Sequence, residues 1–191
     1  MRFALVAAGI ALGCGGSVPA RFVLERDVDD AYRYRRYQKV LDVEVVVPEN
    51  LAIGHTAVYE RAEEATGPAL AVAFVSRYER ARGLAMELHR AVERLEGYDA
   101  SVAEVGGGNA WVLVGEQGDR WAVWASGPQI VKIGTPSGAA LPQPVLEAYM
   151  DLYPSELEDD GRAEAGAASA GPPSDEPERA SQETPTPQFL H

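Results

Sequence analysis

The clearest alternation in the chain begins at Tyr37. Tyr37, Leu41, Val43, Val45 and Val47 fall on one side of an extended chain, Asp42 and Glu44 on the other, and Pro48-Glu49-Asn50 ends the run. Successive side chains of a strand point to opposite faces, so this pattern predicts a half-buried strand. A second strand is expected over Thr56 to Ala62. After the turn Ala65-Thr66-Gly67-Pro68, a third rests on Leu70, Val72, Phe74 and Tyr78. The period then lengthens. Leu84, Leu88, Ala91 and Leu95 recur at spacings of three and four, which predicts a helix with Gly97 at its C-terminal cap.

A strand near Ser101 to Val105 runs into Gly106-Gly107-Gly108-Asn109, which reads as a turn. Three short runs follow: Trp111 to Val114, Trp121 to Ser126 and Gln129 to Ile133, separated by Glu116-Gln117-Gly118-Asp119 and Gly127-Pro128. Aromatic and β-branched residues at this spacing predict an antiparallel meander. Alternation places Trp121 and Trp124 on opposite faces. Pro144 opens a last helix with Leu146, Tyr149, Leu152 and Tyr153 on one stripe, and Pro154 closes it. Strands joined by short turns are antiparallel neighbours. The expectation is an α+β domain over residues 31–154: a mostly antiparallel sheet of about six to seven strands with both helices packed on one face. No convincing internal repeat is visible, although strands followed by a helix occur in each half.

From Ser155 the periodicity stops. Residues 155–191 carry nine acids and two bases, a net of −7, with Pro172, Pro173, Pro177, Pro185 and Pro187 spread among them. Such a segment buries too little apolar surface to offset its ordering entropy, so a disordered tail is expected.

The first residues read as an address. Met1-Arg2 supplies one positive charge, and Phe3 to Leu12 is a run of ten apolar or glycine residues. As a helix it reaches only about 15 Å, roughly half the hydrocarbon core of a bilayer, which suits the apolar region of a signal peptide. Ala11-Leu12-Gly13-Cys14 follows, with the chain's only cysteine at its end. This segment resembles the lipobox of bacterial lipoproteins, departing from it at Ala11, where that family prefers leucine. The resemblance covers residues 1–14 and implies cleavage before Cys14, lipidation of its thiol and a tether over 14–30. One acyl chain binds a bilayer marginally and two or more hold firmly. Gly15 after the cysteine, rather than aspartate, is similar to lipoproteins sorted to the outer membrane, facing the periplasm or the cell surface. The alternative is an ordinary secretory signal cut after Val18-Pro19-Ala20.

Charge narrows the partners. With 17 basic and 29 acidic residues the net charge is −12, which argues against nucleic acid. A single cysteine allows no internal disulfide, so the domain relies on burial.

Candidate chemistry is sparse. His89 and Glu93 share a helix face and supply two metal ligands at most; a surface ion pair is the plainer reading. His55 follows Gly54 at a strand start, and His191 ends the tail. There is no G-x-S-x-G elbow, and the triple glycine lacks the G-K-[ST] ending of a phosphate loop. No catalytic residue, metal or cofactor is expected. Tyr32, Tyr34 and Tyr37 interleave with Arg33, Arg35, Arg36 and Lys39, a mixture found at protein interfaces. Tyr34, Arg35, Arg36, Trp111 and Trp121 are therefore candidate partner-binding residues. The expectation is an envelope lipoprotein, anchored in the membrane through Cys14, whose domain binds another envelope protein without catalysis. A periplasmic enzyme using His55 or His89, and a small-ligand binder using a concave sheet face, stand as alternatives.

Overall fold

The structure is a computed structural model and describes residues 18–40, 43, 45–138 and 140–158. Cys14, His191 and most of the acidic tail lie outside them. The elements run β1 (Tyr32–Val40), β2 (Ala52–Arg61), β3 (Leu70–Tyr78), α1 (Leu84–Glu93), β4 (Tyr98–Val105), β5 (Gly108–Gly115), β6 (Arg120–Ser126), β7 (Gln129–Thr135) and α2 (Gln143–Leu152). All seven strands form one antiparallel sheet in the order β1-β2-β3-β7-β6-β5-β4. The order of three strands, helix, four strands and helix agrees with the hydrophobic pattern.

The helices do not share a face. On β6, Trp121, Val123 and Ala125 pack with Leu84, Leu88 and Val92 of α1, whereas Ala122 and Trp124 pack with Val145, Leu146 and Tyr149 of α2. Consecutive residues of a strand point to opposite sides, so α1 and α2 cover opposite faces and the expectation of one helical layer is corrected. The central pair β3–β7 is antiparallel. A twofold relating the two halves would stand perpendicular to the sheet and put both helices on one face, so the halves are not symmetric copies. Two-sided cover also explains why both tryptophans are buried, Trp121 at 8% and Trp124 at 0% exposure.

Three boundaries depart from the pattern. β1 begins at Tyr32 and ends at Val40, upstream of the expected run. It is an edge strand with a register shift between Tyr34 and Arg36, and its arginines disguise it. Val45 instead lies in the following loop, buried against the α1 face, where its carbonyl accepts the Tyr78 hydroxyl at 2.6 Å. Helix α1 stops at Glu93, so Leu95 falls beyond it and is exposed, and Val92 completes the buried stripe. The β4–β5 turn needs its glycines. Gly106 and Gly107 have φ of 59° and 86°, and a Cβ on Gly106 would lie 2.8 Å from the backbone of Leu146 in α2.

Residues 22–28 cross the α2 face alongside β2 and are fastened by side chains. The Leu24 N–H donates to the Tyr149 hydroxyl at 2.9 Å, and the Tyr59 hydroxyl donates to the Leu24 carbonyl at 2.6 Å. The two phenol oxygens are 2.8 Å apart. Because the Tyr59 proton is committed to Leu24, Tyr149 donates to Tyr59 and the cycle closes. Burial pushes both phenols well above their ordinary range, so each keeps its proton. Tyr153 adds a third hydroxyl, donated to the Phe22 carbonyl at 2.7 Å.

Removing one member of this cycle strands a buried partner. Tyr149→Phe is expected to cost about 1–3 kcal/mol in urea unfolding, since it leaves the Leu24 N–H without an acceptor. Tyr59→Phe should cost a similar amount, and the double variant less than the sum. Equal stability of Tyr149→Phe and the wild type would show that the cycle does not hold this segment.

Candidate functional site

The expected partner-binding residues do not assemble into one patch. Tyr34, Arg35 and Arg36 lie on edge strand β1, whereas Trp121 is on β6, four strands away, about 19 Å at ordinary strand spacing. Trp111, on β5, is one strand further. Arg35 is exposed and ion-paired with Glu60, and Arg36 is exposed opposite Val58. Tyr34 is half-buried, with its ring edge-on to Tyr59 at 6.1 Å and its N–H on the Asp27 carboxylate at 2.8 Å. Trp121 is mostly buried, 8% exposed, and shows only an edge at the end of the sheet. Trp111 is half-buried against His89, ring centroids 5.5 Å apart.

Two grooves open at one end of the sheet, where β1, β4 and β6 begin and β2 and β5 end. The first, about 390 Å³, is lined by Tyr98, Gly115, Gln117, Asp119, Trp121 and Pro136 among others. Asp119 organises it. Its Oδ2 accepts the Tyr98 hydroxyl at 2.7 Å and the Trp121 indole N–H at 2.8 Å. These donors hold its carboxyl below the usual range. The turn that carries it is closed by the Gly115 N–H on the Asp119 carbonyl at 2.9 Å, and a Cβ at Gly115 would collide with the Asp119 carboxylate. Lys132 lies over the Trp121 ring at 4.3 Å. The second groove, about 410 Å³, is lined by Asp27, Asp29, Asp30, Glu63 and Glu64, with Arg33 as its cation. Such a surface suits a cationic or hydrogen-bonding partner. Of the groove residues, sequence reading singled out Trp121 alone as a candidate, because the others come together only when β1–β2 and β4–β5–β6 pair. Asp119 two residues before a tryptophan was the one local signal.

The histidines are engaged separately. His55 is buried in β2; its Nδ1 lies 2.9 Å from the Tyr37 hydroxyl and its ring meets the edge of Phe22 at 5.0 Å. Burial lowers its pKa, with Lys39 and Arg21 adding to the effect. His89 Nε2 lies 3.3 Å from Glu93, one turn along α1. Its Nδ1, the Trp111 Nε1 and the Thr56 hydroxyl are sealed from solvent without a hydrogen-bond partner. Among the described residues no three His, Cys, Asp or Glu side chains are placed to hold a metal ion. No helix among them is long and apolar enough to cross a membrane.

The His55 shift fixes the sign of a pH effect. The folded chain binds this proton more weakly than the unfolded chain, whose histidine titrates near 6.5. Its contribution is therefore constant above that value and turns destabilising as pH falls through it. The urea midpoint should drop between pH 7.5 and 5.5, and His55→Gln should flatten that drop. A His55 ring titrating at or above 6.5 by NMR would contradict this account.

Compared with known protein families, with curated proteins and with solved structures, the chain matches none.

Proposed function

We propose that this chain is an envelope lipoprotein, held in a bacterial membrane through Cys14, whose α+β domain presents a protein-binding surface without catalysing a reaction. The observation that carries the reading is the short uncharged run Phe3 to Leu12 closed at once by the chain's only cysteine. The tyrosine cycle supports it. Among the described residues the Phe22 N–H bonds the Pro19 carbonyl at 2.9 Å, and Pro19 stands five positions after Cys14 in the sequence. A domain gripped this close to the anchor is carried by it directly. The two grooves, at the end remote from that point, are the surface we assign to a partner with basic and hydrogen-bonding groups. Outer-membrane placement follows from Gly15 by resemblance.

The alternatives have less support. His55 is walled in by Phe22 and Tyr37, and His89 pairs with Glu93 on a helix surface; neither lines either groove. The sheet offers no bare concave face for an apolar ligand where α1 and α2 cover it on both sides.

The test is direct. Metabolic labelling with a fatty-acid analogue should mark the wild type, and the mature protein should begin at Cys14 with acyl mass added. Cys14→Ala should lose the label and leave the membrane fraction. Retention of Met1, or unchanged membrane association of Cys14→Ala, would refute the anchor. Crosslinking of the mature protein in its own envelope should then join residues of the grooves, such as Gln117 and Glu63, to a partner.

A further inference from the structure

We infer that the end of the domain opposite the two grooves is a bilayer-docking surface, so that a tethered domain stands with its grooves facing away from the membrane. The inference rests on the anchor proposed above and adds an orientation and a lipid contact to it.

At this end β1 and β3 finish and β2 begins. Residues 22–28 start here too: Phe22 lies on His55, and the Arg77 guanidinium lies 5.0 Å from the Phe22 ring. Large aliphatic side chains are left uncovered at the same end. Leu51 is 72% exposed, Val46 81%, Ile53 48% and Val18 49%. Ile53 is paired with Arg77 across β2–β3, and Lys39 with His55 across β1–β2. Arg21 lies over the Tyr37 ring at 4.6 Å and bonds Glu25 at 3.0 Å. Aliphatic tips ringed by long cationic side chains match the water–lipid boundary, where the tips enter the acyl region and the charged heads remain among phosphates.

Covalent geometry says what covers the patch. Four residues lie between Cys14 and Pro19, and the five steps reach about 18 Å when fully extended. The turn from Pro19 to Phe22 is fixed on this end, so a lipid on Cys14 keeps these residues close to the bilayer. At such a local concentration weak apolar contacts suffice. Glu49 and Glu79 also lie at this end, so the aliphatic residues, rather than net charge, supply the attraction. The tail leaves the described chain past Leu157, whose carbonyl accepts the Asn109 side chain of β5. β5 begins at this same end of the sheet, on the half away from β1 and β2, and Glu156 accepts the Gly127 N–H of the β6–β7 turn there. The grooves lie one strand length away, about 33 Å for the ten residues of β2.

Spin labels test the orientation on the lipidated, full mature chain. Cys14 is the only cysteine, so Leu51→Cys, Ile53→Cys, Glu63→Cys and Gln117→Cys each add one free thiol. The protein is reconstituted in phosphatidylethanolamine–phosphatidylglycerol vesicles, and oxygen and nickel-chelate accessibilities are compared with those in detergent-free buffer. Labels at 51 and 53 should gain oxygen and lose nickel accessibility several-fold, while those at 63 and 117 stay unchanged. A label at Val46→Cys should lose this protection in a Leu51→Glu, Ile53→Glu background that remains vesicle-bound through its lipid. Labels at 51 and 53 as water-accessible as that at 117, on a chain still bound to vesicles, would overturn the docking and leave the anchor standing. An intact mass without acyl groups on Cys14 would remove the anchor, and the docking surface with it.

Discussion

The cycle of hydrogen bonds among Tyr59, Tyr149 and the Leu24 backbone ties three distant parts of the chain: the approach to the sheet, strand β2 and helix α2. No strand ladder repeats these contacts: the segment's backbone meets the sheet through the bridge between Val28 and Tyr32, past the tyrosine cycle. Each phenol hydroxyl donates one hydrogen bond and accepts another, the Leu24 N–H and carbonyl make one each, and the proton order is consistent around the ring. This costs little as long as all members are present and much when one is missing. The grip on Leu24 seats α2, completes the cover of that face, and fixes where the chain reaches the sheet.

The second constraint is two-sided burial. Residues Trp121 to Ala125 of β6 are all buried, as are most of β7. A central strand covered on both faces needs apolar residues at every position, and close neighbours need small ones. Gly134 meets this demand: a Cβ there would come within 2.0 Å of the Arg120 carbonyl. The two core clusters thus share the sheet as a common wall, with Trp124 filling one side and Trp121 the other.

Much of this was legible in the sequence. Order, number and direction of the elements follow from period two, period 3.6 and the turn residues. The meander from Trp111 to Ile133 and the helix opened by Pro144 were readable to within a few residues. The face of each helix was not, although a signal existed: Trp121-Ala-Val-Trp-Ala125 is continuous rather than alternating, which implies cover on both sides. Strand β1 was hidden because an edge needs only one apolar face, and its arginines resemble a solvated surface. The surroundings of the candidate site residues were less legible. Tyr34 packs against Tyr59, and Trp121 bonds Asp119 in the wall of the first groove, contacts that residue type alone does not reveal. The grooves needed strand order, which local patterns do not encode.

The irregular register of β1 has a consequence for crowding. Its shift between Tyr34 and Arg36 breaks the even spacing of outward-facing backbone groups, and Arg33, Arg35 and Arg36 stand along the same margin. An incoming strand would have to change phase midway and pass the long charged side chains of Arg33 and Arg36 and the Arg35–Glu60 pair. Exposed sheet margins are where chance encounters between folded chains turn into strand pairing and fibres. A kinked, cationic border lets neighbours meet repeatedly and part again.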